Sequence, residues 1–317
     1  MGKLLAGVDL GASNLRVALS DGEKLLVERK ERTLLTDPLA PSRQILSLLR
    51  SAVRERGDRL LGVGLASVGP LDLRRGEVRD SPNLPFRRVP LVKPLEEELG
   101  VPVVLVNDCS AAAVGEKEFG AGRGVEDLVY VGMGTGIGGG AYVDGCLLWG
   151  KDGNAVEIGH LTVDPDGRLE CGCGRRGHWE AYCSGTGLPR LVGWRLKRGE
   201  GKDSSLRRRW EEDRQGLRAE HLFEAAGRGD AFALRVLEEV GRLNGIGFTD
   251  LVEAYDPSLI TVGGSVALRN GRWILPPVRR WVRERSYNRP PLLRLTPLGE
   301  RAGLYGAVGL IRREVRR

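Results

Sequence analysis

Val8–Gly22 reads VDLGASNLRVALSDG and Val131–Gly145 reads VGMGTGIGGGAYVDG, and the two align without a gap. Val8 matches Val131, Gly11 matches Gly134, Ala18 matches Ala141, and Asp21-Gly22 matches Asp144-Gly145. Each copy is an apolar strand, a Gly/Ser/Thr turn, a second apolar strand and a closing Asp-Gly turn, the pattern of a β-hairpin. Such turns present successive backbone N–H groups, which together with the hydroxyls of Ser13 and Thr135 can hold phosphate oxygens. Two of them in register predict a polyphosphate gripped from both sides. Gly134-x-Gly136-x-x-Gly139 also matches a dinucleotide fingerprint, but the following AYVDGCLLWG has a strand pattern where that fingerprint needs a helix. No G-x-x-x-x-G-K-[ST] occurs, which argues against a P-loop. A glycine hairpin with no ligand remains a reading of either segment alone; the pair in register argues against it.

Two carboxylates stand at strand ends, the first of them beside the first phosphate turn. Asp9 closes the first strand, and it reads either as a turn cap or as a Mg²⁺ ligand beside the phosphates, directly or through water. Further on, Val103-Val104-Leu105-Val106 runs into Asn107-Asp108 and then an alanine-rich helix from Ser110. The carboxyl end of a buried strand is where open α/β sheets bind ligands, yet Asp108 could equally be the helix N-cap. Helical patterns are also expected near Ser42–Arg56, over LVKPLEEELG (residues 91–100), through much of residues 221–257, and at the C-terminus. The strand SLITVGG ends at Gly263-Gly264-Ser265, a glycine pair able to approach a nucleotide closely or simply to form an ordinary strand-to-helix turn.

The segment EIGHLTVDPDGRLECGCGRRGHWEAYCSG, Glu157–Gly185, holds two of the three histidines and three of the five cysteines. His160, Cys171, Cys173 and His178 are spaced for one tetrahedral zinc ion, with glycines at 172, 174 and 177 allowing a tight loop. Glu157 and Glu180 flank these ligands. The remaining cysteines, Cys109, Cys146 and Cys183, read as small core residues, and His221 as an exposed or capping residue at a helix start.

At 317 residues and 41% hydrophobic composition the chain can bury substantial cores, and two domains are expected. No apolar run reaches the roughly 18 residues needed to cross a bilayer, and the N-terminus lacks signal-peptide character. A cytoplasmic protein with reduced cysteines is the expectation. The net charge of +7 is spread along the chain and interleaved with acids. Its densest run, Lys197–Arg218, reads as a solvated face, so no nucleic-acid partner is expected.

Taken together, the first phosphate loop at 9–14, SPNLP at 81–85, VNDCSAAAVGE at 106–116, GTGIGGG at 134–140, EIGH at 157–160, CGCGRRGHWE at 171–180 and GGSVA at 263–267 resemble the ROK family of sugar kinases and sugar-responsive repressors. The resemblance covers nearly the whole chain. It implies an α/β, two-lobed actin-like ATPase (ribonuclease H-like) fold with an interlobe cleft and a small zinc-binding loop. Residues 1–115 and 300–317 would form the N-terminal lobe, and 116–299 the C-terminal lobe. ATP would lie on Asp9, Gly11, Ser13, Asn14, Gly134, Thr135, Gly136, Gly263 and Gly264, with Mg²⁺ at Asp9. Asp108 would be the general base, and Asn83, Asn107, Asp108, Glu157, His160 and Glu180 would hold the sugar. The Zn²⁺ would be structural, and the family resemblance implies a homodimer or a dimer of dimers.

The implied reaction is phosphorylation of a hexose, foremost glucose, at its 6-hydroxyl, with an N-acyl-hexosamine such as N-acetylmannosamine or N-acetylglucosamine as the alternative substrate. A sugar-sensing repressor is the less favoured alternative, because repressors of this family carry a helix-turn-helix domain before the first phosphate loop. Here Asp9 arrives too early for one. Three departures stand out: Ala12-Ser13 replaces a common Gly-Thr pair, Asn154-Ala155-Val156 replaces small residues, and His178 replaces a third cysteine.

Overall fold

The computed structural model describes residues 2–316, and residue contacts divide them into two compact units. The first comprises the chain up to Tyr130, Gly140–Val156, and the chain from Thr296 onward; the second comprises Val131–Gly139 and Glu157–Leu295.

The first unit begins with the hairpin β1 (Lys3–Leu10) and β2 (Asn14–Ser20), extended by β3 (Leu25–Arg32). Helix α1 (Ala40–Arg56) leads to β4 (Arg59–Ser67). A small antiparallel sheet follows, made of β5 (Leu71–Asp72), β6 (Glu77–Arg79) and β7 (Arg88–Pro90). Helix α2 (Val92–Leu99), β8 (Val103–Asn107) and α3 (Asp108–Phe119) complete the run. The main sheet has the order β3-β2-β1-β4-β8, with β1 antiparallel to β2 and parallel to β4, and β4 parallel to β8. Strand β1 is buried on both faces because helices cover both, which is why KLLAGVDL lacks a clean apolar/polar alternation.

A second sheet is formed by β9 (Leu128–Met133), β10 (Ile137–Val143), β11 (Cys146–Leu147), β12 (Leu259–Gly263) and β13 (Leu292–Leu295), in the order β11-β10-β9-β12-β13. The aligned sequence segments thus become matching parts of two sheets. The helices of the second unit are α4 (Glu180–Cys183), α5 (Gly187–Lys197), α6 (Ser205–Glu212), α7 (Ala219–Gly227), α8 (Ala231–Tyr255) and α9 (Ser265–Arg285). The last helix, α10 (Ala302–Val315), returns to the first unit and packs against α3, β1 and β4. That packing has no space between backbones: a Cβ at Gly64 would overlap the carbonyl of Ala307.

His221 lies in the first turn of α7, where its Nδ1 accepts from the Arg218 N–H at 3.1 Å, as a capping residue does. Of the three cysteines expected in the core, only Cys183 is buried. Cys109 is half-buried, and Cys146 is exposed. It directly follows the exposed Asp144-Gly145 turn, on the two-residue edge strand β11. Among the described residues, no helix is long and apolar enough to cross a membrane.

Candidate active site and metal cluster

In the first unit, the turn between β1 and β2 is closed by Gly11 N–H donating to the Asn14 carbonyl at 2.9 Å. Thr33 supports it from outside, its hydroxyl donating to the Gly11 carbonyl at 2.7 Å. Ser13 and Asn14 are exposed on this turn. Asp9, one residue before the end of β1, pairs across the hairpin with Arg16, whose guanidinium in turn donates to the Glu300 carbonyl at 2.6 Å. Burial, reinforced by the neighbouring charge of Asp108, pushes the Asp9 carboxyl up to about 7 despite the lowering effect of Arg16. A group so placed is only partly ionised at neutral pH unless a cation joins it.

At the β8–α3 junction the capping role expected as one reading of Asp108 falls to its neighbour. Asn107 is the N-cap, its Oδ1 accepting from the N–H groups of Cys109 at 2.9 Å and Ser110 at 3.3 Å. Asp108 therefore occupies the first helical position, and its Oδ1 accepts from Cys109 N–H at 2.8 Å. Any contact from Asn107 to a hydroxyl falls to its Nδ2. Gly303, in the first turn of α10, lies against both acids: its Cβ position is 3.7 Å from Asp9 Cγ and 3.8 Å from the Asp108 carbonyl. The positive end of that helix thus faces the Asp9 carboxyl. Asn83 is exposed in a turn tied down by buried Leu84 and by the Ser81 hydroxyl, which donates to the Gly69 carbonyl at 2.7 Å.

In the second unit, the Gly134-Thr135-Gly136 turn joins β9 to β10, with Gly134 N–H donating to the Gly136 carbonyl at 3.0 Å. Thr135 is exposed at its tip. Gly264, which follows β12 with φ of +82°, sits against the main chain of Met133 too closely for any Cβ. The glycine pair at 263–264 therefore converges on the end of β9, beside the phosphate turn. Glu157 and His160 bracket a 3₁₀ turn over Ile158–His160, with Glu157 Oε2 3.9 Å from His160 Nε2. Glu180, the first residue of α4, accepts from Ile137 N–H at 3.0 Å through Oε2.

His160, Cys171, Cys173 and His178 come together, their ligand atoms all within 4.8 Å of one another. Tetrahedral zinc with bonds of about 2.05 Å to nitrogen and about 2.3 Å to sulfur requires separations of about 3.3 Å for N···N and about 3.6 Å for N···S. The two histidine Nδ1 atoms are 3.3 Å apart. Cys173 Sγ lies 3.3 Å from His178 Nδ1, and Cys171 Sγ lies 3.8 Å from His160 Nδ1. The donor set and its spacing fit the ion. So does the electrostatics: burial pushes the Cys171 thiol up to about 12, and a divalent cation is the group that makes such a thiol a thiolate. Burial, with His160 and Arg175, holds His178 below the usual imidazole range, hence neutral and able to ligate. Of the three loop glycines, Gly174 and Gly177 have φ of +81°, whereas Gly172 has ordinary φ and open space around it. The positive-φ turns of the loop therefore rest on Gly174 and Gly177, and Gly172 supplies none.

Trp179, between His178 of the candidate metal cluster and Glu180, is fully buried and anchors the loop to α8. Its indole N–H donates to Asn244 Oδ1 at 2.8 Å, and its ring meets Phe248 edge-on at 5.3 Å. Sequence reasoning missed Arg16, Gly303, Trp179 and Tyr130. Tyr130 is buried, and burial, followed by the charges of Cys109, Glu116, Asp108 and Asp9, holds its hydroxyl well above the usual range. Only the apolar run around Tyr130 was legible, and that marks a strand rather than a site.

Residues 5–314 match the ROK family, and the chain belongs to it. It is 40% identical over 280 residues to a glucokinase of Aeropyrum pernix, covering 87% of this chain and 86% of that one. A crystal structure of a ROK hexokinase from Thermus thermophilus superposes with a TM-score of 0.83 at 34% identity, covering 99% of each chain. A ROK glucokinase from Streptomyces griseus, solved with glucose and AMPPNP, superposes at 0.77 with 34% identity, covering 98% of this chain and 99% of that one. The fold is thereby that of the actin-like ATPases.

Proposed function

We propose that this protein is an ATP-dependent glucokinase that transfers the γ-phosphoryl group of ATP to the 6-hydroxyl of glucose. The observation that carries the reading is the carboxylate pair Asp9 and Asp108 at the ends of β1 and β8. They are neighbours in charge but differ in setting. Asp108 serves as general base, accepting the hydroxyl proton as the sugar oxygen attacks phosphorus. Asp9 would hold the nucleotide-bound Mg²⁺, directly or through water, and the ion's charge would offset the burial that otherwise leaves Asp9 only partly ionised.

The turns at 11–14 and 134–136 supply N–H groups and the Ser13 and Thr135 hydroxyls to the phosphates, with Gly263-Gly264 giving close backbone approach. Asn83, Asn107, Glu157, His160 and Glu180 hold the sugar hydroxyls, where an unpaired buried acid would be costly and stereochemistry is therefore read. His160, Cys171, Cys173 and His178 hold one structural zinc ion, which fixes the loop carrying His160 and Glu180. The working form is a homodimer or a dimer of dimers.

The test is ADP release across a panel of glucose, mannose, fructose, N-acetylmannosamine and N-acetylglucosamine. Glucose is expected to be phosphorylated with the highest kcat/KM. Preference for an acetamido sugar would replace the substrate, and absence of stimulation by any sugar would refute the kinase reading.

A further inference from the structure

The metal loop and the second phosphate turn are parts of one assembly. Glu180 follows the zinc-ligand candidate His178 by two residues, and its two carboxylate oxygens face different neighbours. Oε2 accepts from the backbone N–H of Ile137 at 3.0 Å, directly after the Gly134-Thr135-Gly136 turn. Oε1 lies 3.5 Å from Cys171 Sγ, within the metal cluster. Gly136 has no side chain because one there would overlap Oε2. The chain leaving α4 returns to the same turn. Gly185 N–H donates to the Gly134 carbonyl at 2.8 Å, Thr186 N–H to the Thr135 carbonyl at 3.2 Å, and the Thr186 hydroxyl to that same carbonyl at 3.1 Å. Four hydrogen bonds from residues 180–186 therefore fix the main chain of residues 134–137. A turn whose task is to present N–H groups gains affinity when its geometry is set before the ligand arrives.

We propose that Glu180 is a positioning residue for the nucleotide: it clips the metal loop to the phosphate turn, so that an intact loop preorganises the Mg·ATP site in addition to any contact it makes with sugar. This inference rests on the kinase reading. The clip also explains why a zinc loop accompanies a reaction that needs no zinc chemistry. His160, Cys171, Cys173 and His178, holding an ion, would fix the chain leading into α4, and α4 with its following turn holds residues 134–137.

The test is calorimetric titration with Mg·ADP in the absence of sugar, which removes any effect through the sugar site. Glu180→Ala is expected to weaken Mg·ADP binding about 10-fold, whereas Glu180→Gln, whose amide oxygen still accepts from Ile137 N–H, stays within about 3-fold of wild type. Thr186→Val, which deletes one bond at the other end of the clip, is expected to weaken binding about 3-fold and covers the case of an unfolded Glu180→Ala. Removing the bound metal with a chelator should weaken Mg·ADP binding at least as much as Glu180→Ala, scored on protein whose circular dichroism shows it folded. Wild-type affinity in both Glu180→Ala and Thr186→Val overturns the inference and leaves the kinase intact. A wild-type protein that binds no Mg·ADP overturns the nucleotide reading, and this inference with it.

Discussion

Replacing Asp9 with asparagine should make the unliganded protein more stable and the enzyme nearly inactive. The carboxyl is pushed from an ordinary 3.8 to about 7, first by burial and then by Asp108. At about 1.4 kcal/mol per tenfold change in proton affinity, that corresponds to about 4 kcal/mol of cost for the ionised form. Asp9 is only partly buried at the residue level, so about 2–4 kcal/mol is the working range. The sign follows from linkage. A carboxyl with a raised native pKa binds its proton more tightly when folded, so its cost is absent below pH 3.8, grows between 3.8 and about 7, and is complete above 7.

Urea unfolding of wild type and Asp9→Asn without nucleotide should therefore give a difference of about 2–4 kcal/mol in favour of the variant at pH 8, shrinking below about 1 kcal/mol near pH 4. The same variant should lose about 10²-fold or more in kcat, since charge neutralisation at the phosphates is lost. Mg·ADP should raise the melting temperature of wild type but not of the variant. A variant less stable than wild type at pH 8, or a stability difference independent of pH, would mean that Asp9 carries no ionisation cost in the folded protein.

Three further outcomes test the metal loop and its anchor. Metal analysis should find one zinc per chain; His178→Ala should lose it and melt at lower temperature, whereas His178→Cys should retain it, because either side chain supplies a fourth tetrahedral donor. Gly172→Ala should change stability by no more than about 0.5 kcal/mol, while Gly177→Ala, with φ of +81° and its Cβ overlapping the Asp164 carbonyl, should cost about 3 kcal/mol or more, both read by denaturant unfolding. Trp179→Ala should cost about 3–5 kcal/mol, because it empties a fully buried site and leaves Asn244 Oδ1 without its donor.

The fold was readable where local pattern and long-range order coincide. The gapless match of 8–22 with 131–145 marked two hairpins because apolar strands and Asp-Gly turns are local signals, and the structure places each hairpin in its own sheet. The metal set was readable because His160, Cys171, Cys173 and His178 are rare residue types crowded into one segment. Asp108 was ambiguous in sequence because an acid before a helix is an ordinary cap; only the geometry shows Asn107 taking that role.

Contacts made through main chain left no trace in composition. Glu180 meets the N–H of Ile137, a group every non-proline residue carries, so nothing at position 137 announces the partner. The exposure of Cys146 was likewise hidden, since it goes with a place just after an exposed turn rather than with any property of cysteine. Arg16 reads as one more surface arginine until the hairpin register sets it opposite Asp9.

The central claim is most directly tested by the rate of glucose-dependent ADP release in wild type and Asp108→Asn, measured with saturating Mg·ATP. The wild type should give stoichiometric glucose 6-phosphate, and the variant a kcat about 10²–10⁴-fold lower with glucose KM changed only a few-fold. A wild type that releases no ADP in response to glucose, or a variant that keeps the full rate, would contradict that claim.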